Sequence, residues 1–266
     1  MTRARALTRT QAAAVAVATL LVSVVALVPH PAHAYHVDPS YNRDRTALAV
    51  VHPDGRVSIS PAAEEQRPAL SLAKLYLGYY VLYNGTAKEK SEVKQMIINS
   101  DDIIASQLDQ KYPEAIDRIA KDFDLEQTTR NGYWGQSLTS ARDVATFVAA
   151  VVWDPVAKPL FDGMAQQEEV AADGFIQGYG TARLGKVKGS KMGWADDRKT
   201  ATASVSWGEI GSETWAVAAL TTGSAYHNTV DTRMGINQVD DSPRKDGAGK
   251  TKSSSWNSKR SSRSRR

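Results

Sequence analysis

The sequence predicts an α+β domain in which strands from both ends of the chain build one antiparallel sheet and a helical block is inserted between them. Three observations carry this expectation. Two β-rich runs flank a Pro-Asp-Gly turn near residue 54, apolar residues recur at helical spacing from 68 to 152, and three more β-prone runs follow Gly174.

The first pair of runs, 46–51 and 56–60, surrounds His52-Pro53-Asp54-Gly55 and reads as a hairpin. The next element starts at Pro68, carries Leu70, Leu72, Leu75, Tyr76, Tyr79, Tyr80 and Leu82, and stops at Asn84-Gly85. Pro in the first turn and Gly past the last mark it as a helix. Helical spacing continues through Val93, Met96, Ile97 and Ile98, then Ile103, Ile104 and Leu108, then Ile116 and Ile119 behind Pro113. Ser140-x-x-Asp143 resembles a capping box opening the run Val144, Phe147, Val148 and Val151, and a shorter helical piece covers 156–164. The late β-prone runs lie at about 186–194, 200–207 and 214–221, and a short helix near 230–236 closes the domain.

The two ends differ from this middle. Residues 1–34 begin with Arg3, Arg5 and Arg9, run apolar from Ala12 to Val28 and end in Ala32-His33-Ala34, the order of a secretory signal cleaved after Ala34. The apolar run is long enough that an uncleaved N-terminal membrane anchor stays open as the alternative. Either arrangement places the remainder outside the cell, secreted or associated with the wall. Residues 35–45 read as a polar linker, 46–241 as the domain, and 242–266 as a disordered basic tail. The tail carries nine Lys/Arg against Asp246, so a chain of net charge +4 holds −7 between residues 35 and 241. Such a tail is a solubilising extension or a tether to anionic wall polymers or lipid headgroups; nucleic acid is not an expected partner outside the cell. Cysteine is absent, which removes disulfides and thiolate metal sites, and neither a cofactor nor a metal is expected.

Histidine supplies no obvious catalytic base. His30 and His33 belong to the signal, His36 to the linker, His52 to a turn and His227 to the end of the domain. Serine with lysine three residues later is a second way to activate a hydroxyl, because one helix holds both groups on one face. The pattern occurs at Ser71/Lys74, Ser91/Lys94 and Ser242/Lys245. Ser242 lies in the tail, and Ser91 opens a hydrophilic helix where it reads as an N-cap. Ser71 instead sits in Pro68-Ala69-Leu70-Ser71-Leu72-Ala73-Lys74, at the start of the apolar helix.

This segment resembles the first motif of the serine β-lactamases and penicillin-binding DD-peptidases, class A β-lactamases included. Their second motif, Ser-x-Asn between helices, is matched in part by Asn99-Ser100-Asp101-Asp102-Ile103, with Asp102 in place of Asn. Taken alone that stretch also fits a helix N-cap with an acidic first turn. Their third, Lys-Thr-Gly on a strand, is matched in part by Lys191-Met192-Gly193, which lacks the hydroxyl that helps bind the substrate carboxylate. The resemblance spans about residues 46–236.

The resemblance implies a β-lactamase/transpeptidase-like fold and, as catalytic groups, Ser71, Lys74, Ser100 and Lys191. Neutral Lys74 would take the Ser71 proton, Ser100 would pass a proton to the leaving nitrogen, and the backbone N–H groups of Ser71 and Trp194 would form the oxyanion hole. Asp102, Met192 and Gly193 would border the substrate. Keeping Lys74 neutral near pH 7 costs about 4 to 5 kcal/mol, to be met by burial, Lys191 and the helix N-terminus, while Asp102 opposes it. Efficient β-lactam hydrolysis is not expected. The water-activating glutamate pattern is missing between Asp124 and Ser137, and Glu126 is misplaced. The implied ligands are wall peptides or β-lactams, and the implied state is a monomer. A catalytically degenerate wall-binding module of the same fold remains the alternative.

Overall fold

A computed structural model describes residues 35–238. The expected signal, its cleavage site and the tail at 242–266 lie outside the described residues. Strands β1 (Tyr35–Val37), β2 (Thr46–Val51) and β3 (Val57–Ile59) come first, followed by the two-residue β4 (Arg67–Pro68). The helical block holds α1 (Ala73–Asn84), α2 (Ala87–Ile98), α3 (Asp102–Lys111) and α4 (Ala115–Asp122). After β5 (Leu138–Thr139) it continues with α5 (Ala141–Val151) and α6 (Lys158–Ala165). The chain returns through β6 (Val187–Trp194), β7 (Ala201–Ile210) and β8 (Glu213–Thr222) to α7 (Ala225–Gly235) and β9 (Ile236–Gln238).

The main sheet has the order β3-β2-β8-β7-β6, with every neighbouring pair antiparallel. The α+β class and the assembly of the sheet from both ends of the chain are thus as the sequence predicts. Alternation along β2 explains its unbroken apolar run. Ala47, Ala49 and Val51 face the helical block, whereas Leu48 and Val50 join a second core with Trp215, Val217 and Ile236 on the opposite face. Helix α1 is buried almost all round because other helices enclose it, which matches its near lack of polar residues.

Five local expectations are corrected. Residues 35–37 are not linker: β1 pairs with β9, some 200 residues away, and Tyr35 is buried against Trp215 with its hydroxyl donating to Gly185 O at 2.6 Å. Ser91 is not an N-cap. Helix α2 starts four residues earlier under a Thr86/Glu89 capping box, and Ser91 Oγ donates to Lys88 O. His52 is buried rather than at the surface, within hydrogen-bonding reach of Ser58. At Ser140 the hydroxyl caps α5 as expected, but Asp143 turns away to accept from Gln127 N–H and Thr128. The last helix also begins five residues earlier than its apolar pattern suggests, at Ala225.

Candidate active site

The backbone around Ser71 is set by strand pairing on one side and strain on the other. β4 pairs with β5, and Ala69 N–H donates to Ser137 O at 2.8 Å, so the chain enters the site fixed to the loop that precedes α5. Leu70 then takes φ 53°, a left-handed conformation that costs energy for a residue with a side chain. One 3-10 turn, Leu70–Leu72, follows and passes directly into α1. Ser71 is presented on that turn, and Lys74 lies one turn further along the same face.

The second group comes from the loop between α2 and α3. Ser100 also has a positive φ, 57°, and the cap expected there is supplied by its neighbour: Asp101 accepts from the N–H groups of Ile103 and Ile104. Capping and site formation therefore coexist on adjacent residues. With Asp101 holding the helix, the Ser100 hydroxyl is left to face the interior.

The third group arrives on β6, the edge strand of the sheet. Lys191 is fully buried rather than exposed on the strand, and its Nζ donates to Ser100 Oγ at 2.8 Å and to Met192 O at 2.7 Å. Lys74 Nζ lies 2.7 Å from Ser71 Oγ, 3.0 Å from Ser100 O, 3.2 Å from Ser100 Oγ and 2.5 Å from Asp102 Oδ1. The structure thus brings Ser71, Lys74, Ser100 and Lys191 into one connected cluster, with Asp102 at its edge. An ammonium has three protons for four such partners, while a neutral amine has two N–H groups and a lone pair for the Ser71 hydroxyl.

Burial pushes Lys74 below its ordinary value, and the Asp102 carboxylate opposes that shift by charge and by hydrogen bond. Lys191 is pushed well below its ordinary value by burial first and by the neighbouring charge of Lys74 second. Among the described residues it has no carboxylate as a hydrogen-bond partner.

Gly193 has a purely geometric reason to be glycine. A Cβ there would sit 2.6 Å from Ser71 N and 2.7 Å from Leu70 Cβ, so a larger residue would force the strand away from the serine turn. Buried Tyr179 anchors the same point by donating to Gly193 O at 2.6 Å. Ala195 N–H is bonded to Ala201 O across the β6/β7 ladder. Ladder alternation then turns the N–H of Trp194 away from β7, toward the open edge beside Ser71. The Trp194 indole stacks on Phe175 at 4.6 Å, and its Nε1 donates to Asp173 Oδ2. Met192, expected to border the substrate, is fully buried and does not line the cleft, because successive strand residues point to opposite faces.

Ser71 opens into a cleft of about 320 Å³ whose walls include Tyr133, Trp134, Gln136, Trp194, Asp173 and Asp196. A larger depression of about 540 Å³ is lined by Tyr79, Tyr80, Tyr83, Glu114 and Asp122 and holds no serine–lysine pair. Sequence reasoning missed the loop residues and both outer aspartates. An aromatic pair inside Asn131-Gly132-Tyr133-Trp134-Gly135 was a visible signal; Asp173 gave none, since a loop acid is ordinarily solvated. Trp134 matters most. Its ring lies 4.4 Å from Lys74 Nζ, over the lysine.

No family model matches the chain, and no curated protein does. Solved structures do. Penicillin-binding protein D2 from Listeria monocytogenes, in a cefotaxime-bound form, superposes with TM-score 0.57 at 16% identity over 74% of this chain and 97% of its own. A D-alanyl-D-alanine carboxypeptidase from Mycobacterium tuberculosis gives 0.55 at 14% identity, over 75% and 92%. A β-lactamase from Sphaerobacter thermophilus gives 0.56 at 13%, over 71% and 89%. At these identities the likeness establishes the fold, that of the serine β-lactamases and penicillin-binding proteins.

Proposed function

We propose that this chain is an exported serine acyl-transfer protein of the β-lactamase/DD-peptidase type, acylated at Ser71 by wall peptides or β-lactams. The observation that carries the proposal is the 2.7 Å approach of a fully buried lysine amine to the Ser71 hydroxyl. In this scheme neutral Lys74 accepts the Ser71 proton as Oγ bonds to the substrate carbonyl carbon. The carbon–nitrogen bond then breaks, and Ser100, held by Lys191 and 3.2 Å from Lys74 Nζ, passes its proton to the departing nitrogen and regains one from the Lys74 ammonium. The N–H groups of Ser71 and Trp194 stabilise the carbonyl oxygen as it becomes negative. Support for the ligand class comes from the neighbours, which include a penicillin-binding protein crystallised with cefotaxime and with ampicillin.

A second reading, a wall-binding module without turnover, is favoured by one contact: Asp102, at 2.5 Å, stabilises the charged form of Lys74, which is no base. A fluorescent penicillin separates the two. Covalent labelling of the full chain that Ser71→Ala abolishes supports acylation; a chain that stays unlabelled yet binds wall fragments supports the module. The export and retention parts of the proposal rest on residues 1–34 and 242–266. Removing the tail should weaken retention on anionic polymers at low salt.

A further inference from the structure

The mechanism above leaves Trp134 unused, although it is the largest side chain in contact with the lysine. It sits on the short 3-10 turn Trp134–Gln136 and is only 6% exposed. The indole Nε1 donates to Ser106 Oγ on α3 at 3.0 Å, one turn beyond Asp102. The start of the same loop is fastened to α3 by Arg130, which grips Asp109 through two bonds of 2.7 Å. The ring is therefore held from two points rather than resting loosely on the cleft. Lys74 is consequently enclosed by Ser71, Ser100, Asp102 and the indole face, and none of its side chain is exposed.

We propose that Trp134 is a positioning residue that roofs Lys74, holding it against Ser71 and keeping water from it, so that an acyl group carried by Ser71 is long-lived. This rests on acylation at Ser71 as proposed above. Hydrolysis of that ester requires a water oxygen to bond to the acyl carbon while the carbon–Oγ bond breaks and a base accepts the water proton. Lys74 is the amine in contact with Oγ, and the indole face covers it at 4.4 Å, leaving none of its side chain exposed to water.

The same ring also stabilises the charged lysine through its negative face. Lys74 is faced by Asp101 capping α3, by Asp102 in its first turn, by Asp173 from the loop before β6 and by Lys191 from β6. Replacing the indole with an apolar group of similar reach leaves those charges and the exclusion of water in place.

The test uses the full-length chain and two readouts. After labelling with fluorescent penicillin, the half-life of the Ser71 adduct should fall several-fold in Trp134→Ala and stay near wild type in Trp134→Phe. Independently of any acylation, the Cε resonance of Lys74 in chain carrying labelled lysine should titrate about 0.5 to 1 pH unit lower in Trp134→Leu than in wild type or Trp134→Phe. Unchanged adduct lifetime in Trp134→Ala, or an unchanged Lys74 titration in Trp134→Leu, would overturn the assignment. If wild type takes no label, acylation at Ser71 is what has failed, and the titration alone then decides the contact between Trp134 and Lys74.

Discussion

Asp102 Oδ1 lies 2.5 Å from Lys74 Nζ, joining a carboxylate whose side chain is 63% exposed to an amine that is fully buried. The pair sets the protonation of Lys74. Asp102 favours the ammonium form, so the lysine loses its proton at a higher pH than burial alone would give.

Asp102→Asn should therefore move the acid limb of the acylation rate toward lower pH. In the proposed scheme acylation needs neutral Lys74 and rises as pH passes its value; removing the carboxylate, which raises that value by charge and by hydrogen bond, lowers it. Labelling rates with fluorescent penicillin between pH 5 and 9 check this, and a limb that stays in place would show that Asp102 does not govern the base.

Gly193→Ala should damage chemistry more than folding. The added methyl must displace backbone at Ser71, at a cost of about 1 to 3 kcal/mol, and parting β6 from the serine turn would remove one of the two proposed oxyanion donors, worth about 10²- to 10³-fold in rate. Thermal unfolding and labelling kinetics on one preparation separate the two effects.

The charge of the cleft wall should disfavour free carboxylates. Asp102, Asp173 and Asp196 line it; among the described residues no lysine or arginine does, although Arg198 stands 3.8 Å behind Asp173. Neutralising the outer pair in Asp173→Asn/Asp196→Asn, which keeps an oxygen for the Trp194 indole, should speed acylation by a carboxylate-bearing ligand relative to its amide. The change expected is about fivefold per charge at low salt, corresponding to roughly 1 kcal/mol each, and it should shrink as salt is added. Equal acceleration of both ligands would mean that the rim does not select by charge.

Away from the cleft, Asp231→Asn should destabilise the fold without touching Ser71. The carboxylate is buried and accepts from Arg43, Arg45 and Thr46. Burial pushes Asp231 up, but the bonds from Arg45 and Thr46 outweigh it and hold the group below its ordinary value. A depressed carboxyl contributes stability that is complete above its unfolded value near 4 and is lost as pH falls below it. The deficit of the variant should be about 2 kcal/mol at pH 7, because both arginines are partly exposed, and should narrow by pH 3 in chemical unfolding.

The elements were largely legible because their signals are local. The Pro-Asp-Gly turn, the β-prone run at 186–194 and the Pro68-to-Gly85 frame each sit within fewer than twenty residues, and each predicts its element. Where an element takes its identity from a distant partner, the sequence misleads: 35–37 look like linker because their strand partner is 236–238. His52 likewise sits beside a turn yet is buried by what packs over it.

What the sequence determined by itself was the α+β order of elements and the placing of a hydroxyl and an amine one helical turn apart at Ser71 and Lys74. Tertiary structure decided that Ser100 and Lys191 join them, that Met192 turns away, and that Trp134 and three aspartates complete the cleft. The division has one physical reason. Periodicity and spacing act along the chain, whereas burial, charge and close approach depend on which surfaces the folded chain presses together.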